Sequence, residues 1–251
     1  MDSIKLLGCK VSKVTTDELN NYILSKIKDD KKEAILNVNI NCINLAQKHQ
    51  WLKLMLFNTN VVFCDGDGVR LGAKLIGSEL PEKITYNRWI WSLSHLCCEN
   101  NLSLYLFGSK SDVIKLSVDK LLDRFPNLNI LGFRSGYFDD RKDNSTIISE
   151  INNLRPDILI LGMGMPKQEK WLLDNIDKLD VNIILTGGAV FDYVSGLAKL
   201  TPNFFYKYKI EWLYRFIQEP KRLFNRYIIG NPLFILRILL EKYKIINYNR
   251  Y

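Results

Sequence analysis

Short aliphatic runs alternating with longer amphipathic ones constrain this chain more than any other feature. Residues 34–39, 61–64, 102–107, 129–133, 158–161 and 182–186 read as strands. Residues 16–28, 41–48, 68–75, 87–99, 112–125, 145–154 and 167–178 read as helices between them. The strand runs are mostly apolar, with apolar residues at consecutive positions rather than at every second one, as strands covered on both faces must be. Parallel strands also need long crossovers, which the helical stretches supply. The expectation is an α/β fold, a Rossmann-like, mainly parallel sheet with helices on both faces. Residues 1–33 read as a short hairpin or strand followed by the first helix. Texture changes at Thr201-Pro202-Asn203, which divides the chain into an α/β core (1–200) and a basic, aromatic, amphipathic helical C-terminal appendage (201–251).

Charge follows the same division. Lys199 to Tyr251 holds 11 Lys and Arg against 3 Asp and Glu, so the whole net charge of +8 lies there. The rest of the chain is neutral, and a local field of one sign acts on a particular partner. Phe204, Phe205, Tyr206, Trp212, Tyr214, Phe216, Phe224 and Tyr227 accompany the cations. That mixture suits an anionic membrane surface or an anionic, partly apolar ligand. The plainer alternative is a basic helix face in solvent over a core. No long apolar stretch is free of charge, and the closest, 227–240, is interrupted by Gly230, Asn231, Pro232 and Arg237. No spanning helix is therefore expected. The first residues lack a signal-peptide pattern, and the five cysteines show no metal spacing. Reduced, mostly buried thiols in a cytosolic protein are expected. His49 and His95 have no ligand-spaced neighbours, so neither a metal nor a histidine-based site is expected.

In open α/β sheets ligands gather beyond the carboxyl ends of the strands. Asn37 and Asn39 close the first main strand, and Asp65-Gly66-Asp67-Gly68 follows the second. The latter is equally a plain turn or a carboxylate held at a strand end, able to deprotonate an acceptor hydroxyl. Calcium is a weaker third reading, because the remaining ligands of such a loop are missing. Asp65, the first residue past the strand, is the candidate base. Gly162, Gly164 and Pro166 lie between a strand and a helix, where backbone amides can receive a phosphate; a tight structural turn explains them equally. Lys167, Gln168 and Glu169 add polar groups at that helix start. Gly108-Ser109 and Gly187-Gly188 offer two further close-approach turns. Neither a dinucleotide fingerprint nor a phosphate-binding P-loop is present.

In the tail, Arg215, Arg222 and Arg226 stand among aromatics. Arg215 and Arg222 are seven residues apart and share a helix face unless Pro220 breaks it. Their forks suit a diphosphate, although snorkelling on an amphipathic helix is the ordinary alternative.

Together these stretches resemble the WecG/TagA/CpsF family, glycosyltransferase family 26, across roughly residues 5–230. The likeness is strongest at residues 65–69, 107–138, 156–171, 187–196 and 211–223. It implies a bacterial, inverting, metal-independent glycosyltransferase without a cofactor. Such an enzyme takes a sugar from a UDP-sugar, UDP-N-acetylmannosamine or a related hexose or uronic acid. The sugar goes to a polyprenyl-diphosphate-linked acceptor at the cytoplasmic face of the membrane. Teichoic acid, capsule and exopolysaccharide are the products in view. Asp65 then matches the catalytic base, Asn39 the neighbouring Asn, and Asn37 a position where many members have Thr. Gln168 matches the Gln of the PKQE stretch. Arg215 and Arg222 match arginines that reach the diphosphate from the appendage, which completes the active site. A third family arginine falls on Asn225, leaving Arg226 as its substitute. Where many members have a Gly and an acidic residue, Thr85-Tyr86-Asn87-Arg88-Trp89 stands here, with Thr85 still available as a hydroxyl contact. Self-association is also in keeping with the family. Two rivals remain: a nucleotide- or nucleic-acid-binding protein using the basic tail, and a membrane scaffold without chemistry. Cations interleaved with long aliphatic runs argue against nucleic acid as a partner.

Overall fold

A computed structural model describes residues 1–248 of the chain. Eight strands form: β1 (Ser3–Leu6), β2 (Cys9–Ser12), β3 (Glu33–Val38), β4 (Val61–Cys64), β5 (Ser103–Gly108), β6 (Asn129–Arg134), β7 (Ile158–Gly162) and β8 (Ile183–Thr186). β1 and β2 make an antiparallel hairpin. The others form one sheet in the order β4-β3-β8-β7-β5-β6. The β3–β8, β8–β7, β7–β5 and β5–β6 pairs are all parallel. Every residue of β5, β7 and β8 is buried, which is why those runs do not alternate in polarity. The edge strand β6 is only half-buried, and its pairing slips at Leu104/Tyr105. The α/β architecture is the expected one.

Contacts divide the described residues into two compact units: 1–15, 37–84 and 199–248 in the first, 16–36 and 85–198 in the second. The division of the sequence at residue 200 follows the texture of the chain, whereas these units follow its packing. In the first unit lie α2 (Ile40–Ala46), α3 (Gln50–Asn58), α4 (Asp67–Leu75), α10 (Asn203–Lys207), α11 (Glu211–Gln218), α12 (Pro220–Phe224) and α13 (Gly230–Lys242). In the second lie α1 (Thr16–Lys28), α5 (Tyr86–Glu99), α6 (Ser111–Arg124), α7 (Asn144–Leu154), α8 (Lys167–Asn175) and α9 (Val190–Val194). α3 restarts after His49 and buries Leu52, Met55 and Leu56; the sequence pattern had ended at residue 48.

The C-terminal segment packs closely within the first unit. Leu223, Tyr227, Phe234 and Ile238 are buried along one seam. Their steps of four, seven and four residues keep one helical face turned inward. α13 lies against α2 and α4, with Phe234 so close to Gly72 that a β-carbon there would fall 2.7 Å from its ring. Asn44 donates to Gly230 O (2.8 Å) and accepts from Arg237 (2.8 Å), while Glu241 accepts from Leu7 N (3.0 Å).

The expected breakers in this segment do not break it. Helix runs without interruption from Pro220 to Lys242, 23 residues, long and apolar enough by length and composition to cross a membrane. A π turn at Asn225–Ile229 absorbs the irregularity, with Gly230 N donating to Asn225 O. Pro232 lies three residues beyond the π turn, inside the continuous helix, so the ladder there runs without its N–H and the wider turn just before it takes up the change.

Candidate active site

Asp65 follows β4 directly, its backbone N–H bonded to Val38 O at the end of β3 (2.8 Å). Gly66 comes next with φ +146°, a conformation that side chains with a β-carbon rarely adopt. That kink turns the chain into α4 and leaves the Asp65 carboxylate at the strand end. Asn37, buried at the end of β3, donates its side-chain amide to Asp65 Oδ2 (2.9 Å). Burial pushes the Asp65 carboxyl above the usual aspartate range. The positive charges of Arg215 and Arg226 and the Asn37 hydrogen bond pull the other way, and Glu211 adds to the rise. A carboxyl poised upward, oriented by an amide and held in the field of two guanidinium groups has the attributes of a general base.

Two sequence expectations change here. α11 stops at Gln218, and Glu219 (φ −133°, ψ 60°) breaks the helix before Pro220 starts α12. Arg215 and Arg222 therefore do not share a face. The exposed Arg222 grips Glu219 with both Nε and a terminal nitrogen, and that hydrogen bond holds Glu219 below its ordinary value. The arginine that joins Arg215 in acting on Asp65 is Arg226, on the π turn. Burial lowers its pKa first of all, and its guanidinium lies 5.4 Å from the Tyr227 ring centre. Asn39, expected at the substrate, caps α2: its Oδ1 accepts from Cys42 N (3.1 Å). An Asn immediately before an apolar helical run is itself an N-cap signal.

The second unit carries the glycine loops. Gly108 ends β5 opposite Gly162 at the end of β7, and a β-carbon on it would sit 2.3 Å from Gly162 O, so no side chain fits. Ser109 follows, its N–H on Gly162 O (2.9 Å) and its hydroxyl on Asp192 (2.7 Å). The exposed Lys167 bonds Gly136 O (2.8 Å) and lies 4.9 Å from the Phe138 ring. Thr85 is the N-cap residue of α5 without a side-chain cap bond, and the buried Tyr86 packs on Trp89, ring centres 5.2 Å apart. A cavity of about 350 Å³ opens beside β6, lined by Ser111, Phe133, Arg134, Ser135, Tyr137 and Phe138 among others.

α8 places Gln168, Trp171, Leu172 and Asn175 inward, at three- and four-residue steps. Gln168 is 0% exposed, so the expected direct contact with a substrate gives way to a bracing role. Its Oε1 accepts from both Gly164 N (3.2 Å) and Gly188 N (3.0 Å), and its Nε2 donates to Glu169 Oε1 (2.7 Å). One amide thus ties the loop after β7 to the loop after β8, where Gly187 N bonds Leu161 O (2.7 Å).

Glu169 is also buried, and its Oε2 has no hydrogen-bond partner among the described residues. Burial drives its pKa up to about 7 from 4.5, against the Gln168 hydrogen bond. The native state then keeps a proton that the unfolded chain releases, so stability falls as pH rises from about 4.5 to about 7. The loss expected from this one group is up to about 3 kcal/mol. Glu169→Gln should abolish it, making the variant more stable than the parent at pH 8 and nearly equal at pH 4.5. Denaturant unfolding at the two pH values checks this, and a parent curve unchanged by the substitution would refute it.

Sequence reasoning missed Lys83, Glu211 and the Ser109–Asp192 pair. Lys83 stands in an irregular segment with no motif around it, and its partners at 67 and 211 are remote in sequence. Glu211 did carry a signal, an acid in the first turn of a helix.

The chain matches the sequence profile of the Glycosyl transferase WecG/TagA/CpsF family over residues 4–247. It is similar to the N-acetylglucosaminyldiphosphoundecaprenol N-acetyl-beta-D-mannosaminyltransferase of Staphylococcus aureus (strain MW2), 26% identical over 211 residues, or 84% of this chain and 81% of that protein. A protein of the same description from Bacillus subtilis (strain 168) is 27% identical over 223 residues, 88% of this chain and 85% of that protein.

Proposed function

Because the chain belongs to the WecG/TagA/CpsF family and is a glycosyltransferase, we propose that it moves a sugar from a UDP-sugar to a polyprenyl-diphosphate-linked sugar in a single inverting displacement that needs no metal ion. Asp65 takes the proton from the acceptor hydroxyl as that oxygen attacks the anomeric carbon. The bond to the UDP oxygen breaks on the opposite face, and the departing diphosphate carries away the electron pair. Arg215 and Arg226 neutralise the charge that grows there, a form of help often larger than any other. Asn37 orients the base. The observation that carries this reading is the Asp65 carboxyl, bonded by Asn37 and acted on by both arginines.

Gly108, Gly164, Lys167, Gly187 and Gly188 are assigned to donor binding by the close backbone approach that glycine turns allow and by the Lys167 ammonium beside them, with Gln168 fixing their loops. The names of the relatives make UDP-N-acetylmannosamine the first donor to test, and N-acetylglucosamine on undecaprenyl diphosphate the first acceptor. Thr85 to Trp89 is the segment assigned to donor preference. A cell-surface polysaccharide such as teichoic acid is the proposed product.

We place the protein at the inner face of the membrane, lying on the surface. Exposed Ile217, Phe224, Ile228, Ile229 and Leu236 stand among the exposed Lys221 and Arg222, the composition of a helix that sits in the interface. The inward seam and the charges at 222, 226 and 237 favour that posture over spanning. The decisive assay incubates the protein with a panel of UDP-sugars and the lipid-diphosphate acceptor, with a chelator, in neutral and in anionic vesicles. Sugar transfer that survives chelation and is faster on anionic vesicles is expected. Absence of transfer from every donor would overturn the reading, and loss with the chelator would overturn its metal independence.

A further inference from the structure

Lys83 meets two carboxylates and a ring inside the first unit, and none of them follows from the chemistry proposed above. Its Nζ lies 2.7 Å from Asp67 Oδ2 and 2.5 Å from Glu211 Oε2, and 4.2 Å from the centre of the Tyr206 ring. The side chain is only 5% exposed. Burial alone would lower its pKa, but the hydrogen bonds to Asp67 and Glu211 and the charges of those carboxylates outweigh burial and hold the ammonium above the ordinary lysine value.

The partners sit at informative places. Asp67 opens α4, two residues after Asp65. Glu211 opens α11, and Arg215 follows one helical turn later, on the same face. Tyr206 belongs to α10. Lys83 is itself fixed to the end of β4, because Ile84 N donates to Cys64 O (2.9 Å). A single ammonium therefore joins the strand end that carries Asp65, the helix after it, and the two helices that lead to Arg215.

We propose that Lys83 is a positioning residue, the clamp that holds α10 and α11 against the Asp65 loop and so keeps Arg215 beside the base. The importance of Arg215 to turnover rests on the reading above; the clamp itself does not. Without the cation, Asp67 and Glu211 become two carboxylates sharing one site, an arrangement that drives groups apart or forces one to take a proton. Removing one partner of a buried pair is far more damaging than removing an exposed one. Arginine at 83 keeps the charge and reach.

Amide exchange over residues 203–218 of the whole protein reads the clamp without any turnover. Lys83→Met and Glu211→Gln should each raise exchange there by about tenfold or more, with the rest of the chain unchanged, and Lys83→Arg should stay near the parent. Glu211→Gln leaves the Lys83–Asp67 pair intact and so decides the question if Lys83→Met fails to fold. Unchanged exchange in the variants that fold overturns the clamp.

The acid limb of kcat/KM reads the second half of the proposal. The negative charge of Glu211 raises the Asp65 pKa, so its loss alone would move the limb down. Release of Arg215, whose charge lowers that pKa, moves it up. An upward shift in Glu211→Gln is expected. Faster exchange with a downward or unmoved limb would overturn the link from the clamp to the base.

Discussion

Asp65→Asn is expected to lower turnover by ~10²–10⁴, the usual loss when a general base is removed, while the donor still binds. The amide is nearly isosteric with the carboxyl and can still meet Asn37, so the geometry at the end of β4 is kept. What disappears is the acceptor for the proton of the attacking hydroxyl. Folding should not fail. Because the surroundings raise the Asp65 pKa, they favour the uncharged carboxyl on balance, and an uncharged amide fits that preference. In the parent, the same upward direction places the acid limb of kcat/KM above the ordinary aspartate pKa of about 3.9. Asp67→Asn is the informative comparison, since Asp67 is engaged by Lys83 and Arg70 and its loss should cost far less turnover than the loss of Asp65. Sugar transfer measured beside donor affinity checks both variants. Near-parental transfer by Asp65→Asn would remove this carboxylate from the reaction.

How far such a site is legible in a sequence depends on whether a residue's role is local. The strands of the main sheet could be read because each is short, mostly apolar and followed by a helical stretch; bounds moved by a residue or two only. Asp65 could be read because a carboxylate immediately after a buried strand has few places to point. The roles of Asn39 and Gln168 could not be separated from binding by residue type. An Asn before a helix caps it, and a Gln in the first turn of a helix either faces a ligand or bridges two loops. Only the position of the Gly164 and Gly188 amides decides between these. Lys83 was illegible for a different reason. Its partners are 16 and 128 residues away, and no periodicity links an irregular segment to two helix starts. Gly230 and Pro232 misled because a π turn is a backbone adjustment that no side chain announces.

The arginines of the tail give the sharpest contrast between pattern and packing. Spacing favours Arg215 with Arg222; the structure pairs Arg215 with Arg226 in acting on Asp65. Arg226→Met should therefore lower kcat by ~10², a loss comparable to removing one donor from an oxyanion hole. Arg222→Met, tested on a water-soluble acceptor, should stay within about threefold, because an exposed ion pair contributes little. At 226 methionine keeps an unbranched apolar stem and removes the guanidinium that lies 5.4 Å from the Tyr227 ring centre. The pH profile separates the two further. Arg226 lowers the Asp65 pKa, so its removal lets burial raise that pKa more, and the acid limb of kcat/KM moves to higher pH. Arg222 is held by Glu219 and is not among the charges that act on Asp65, so its removal should leave the limb in place. If Arg222→Met proved as damaging as Arg226→Met, with the same movement of the limb, the donor-bound enzyme would have to rebuild the turn between α11 and α12. Glu219 would then have to release its partner before each transfer, and Glu219→Gln, which weakens that grip, would raise turnover rather than leave it unchanged.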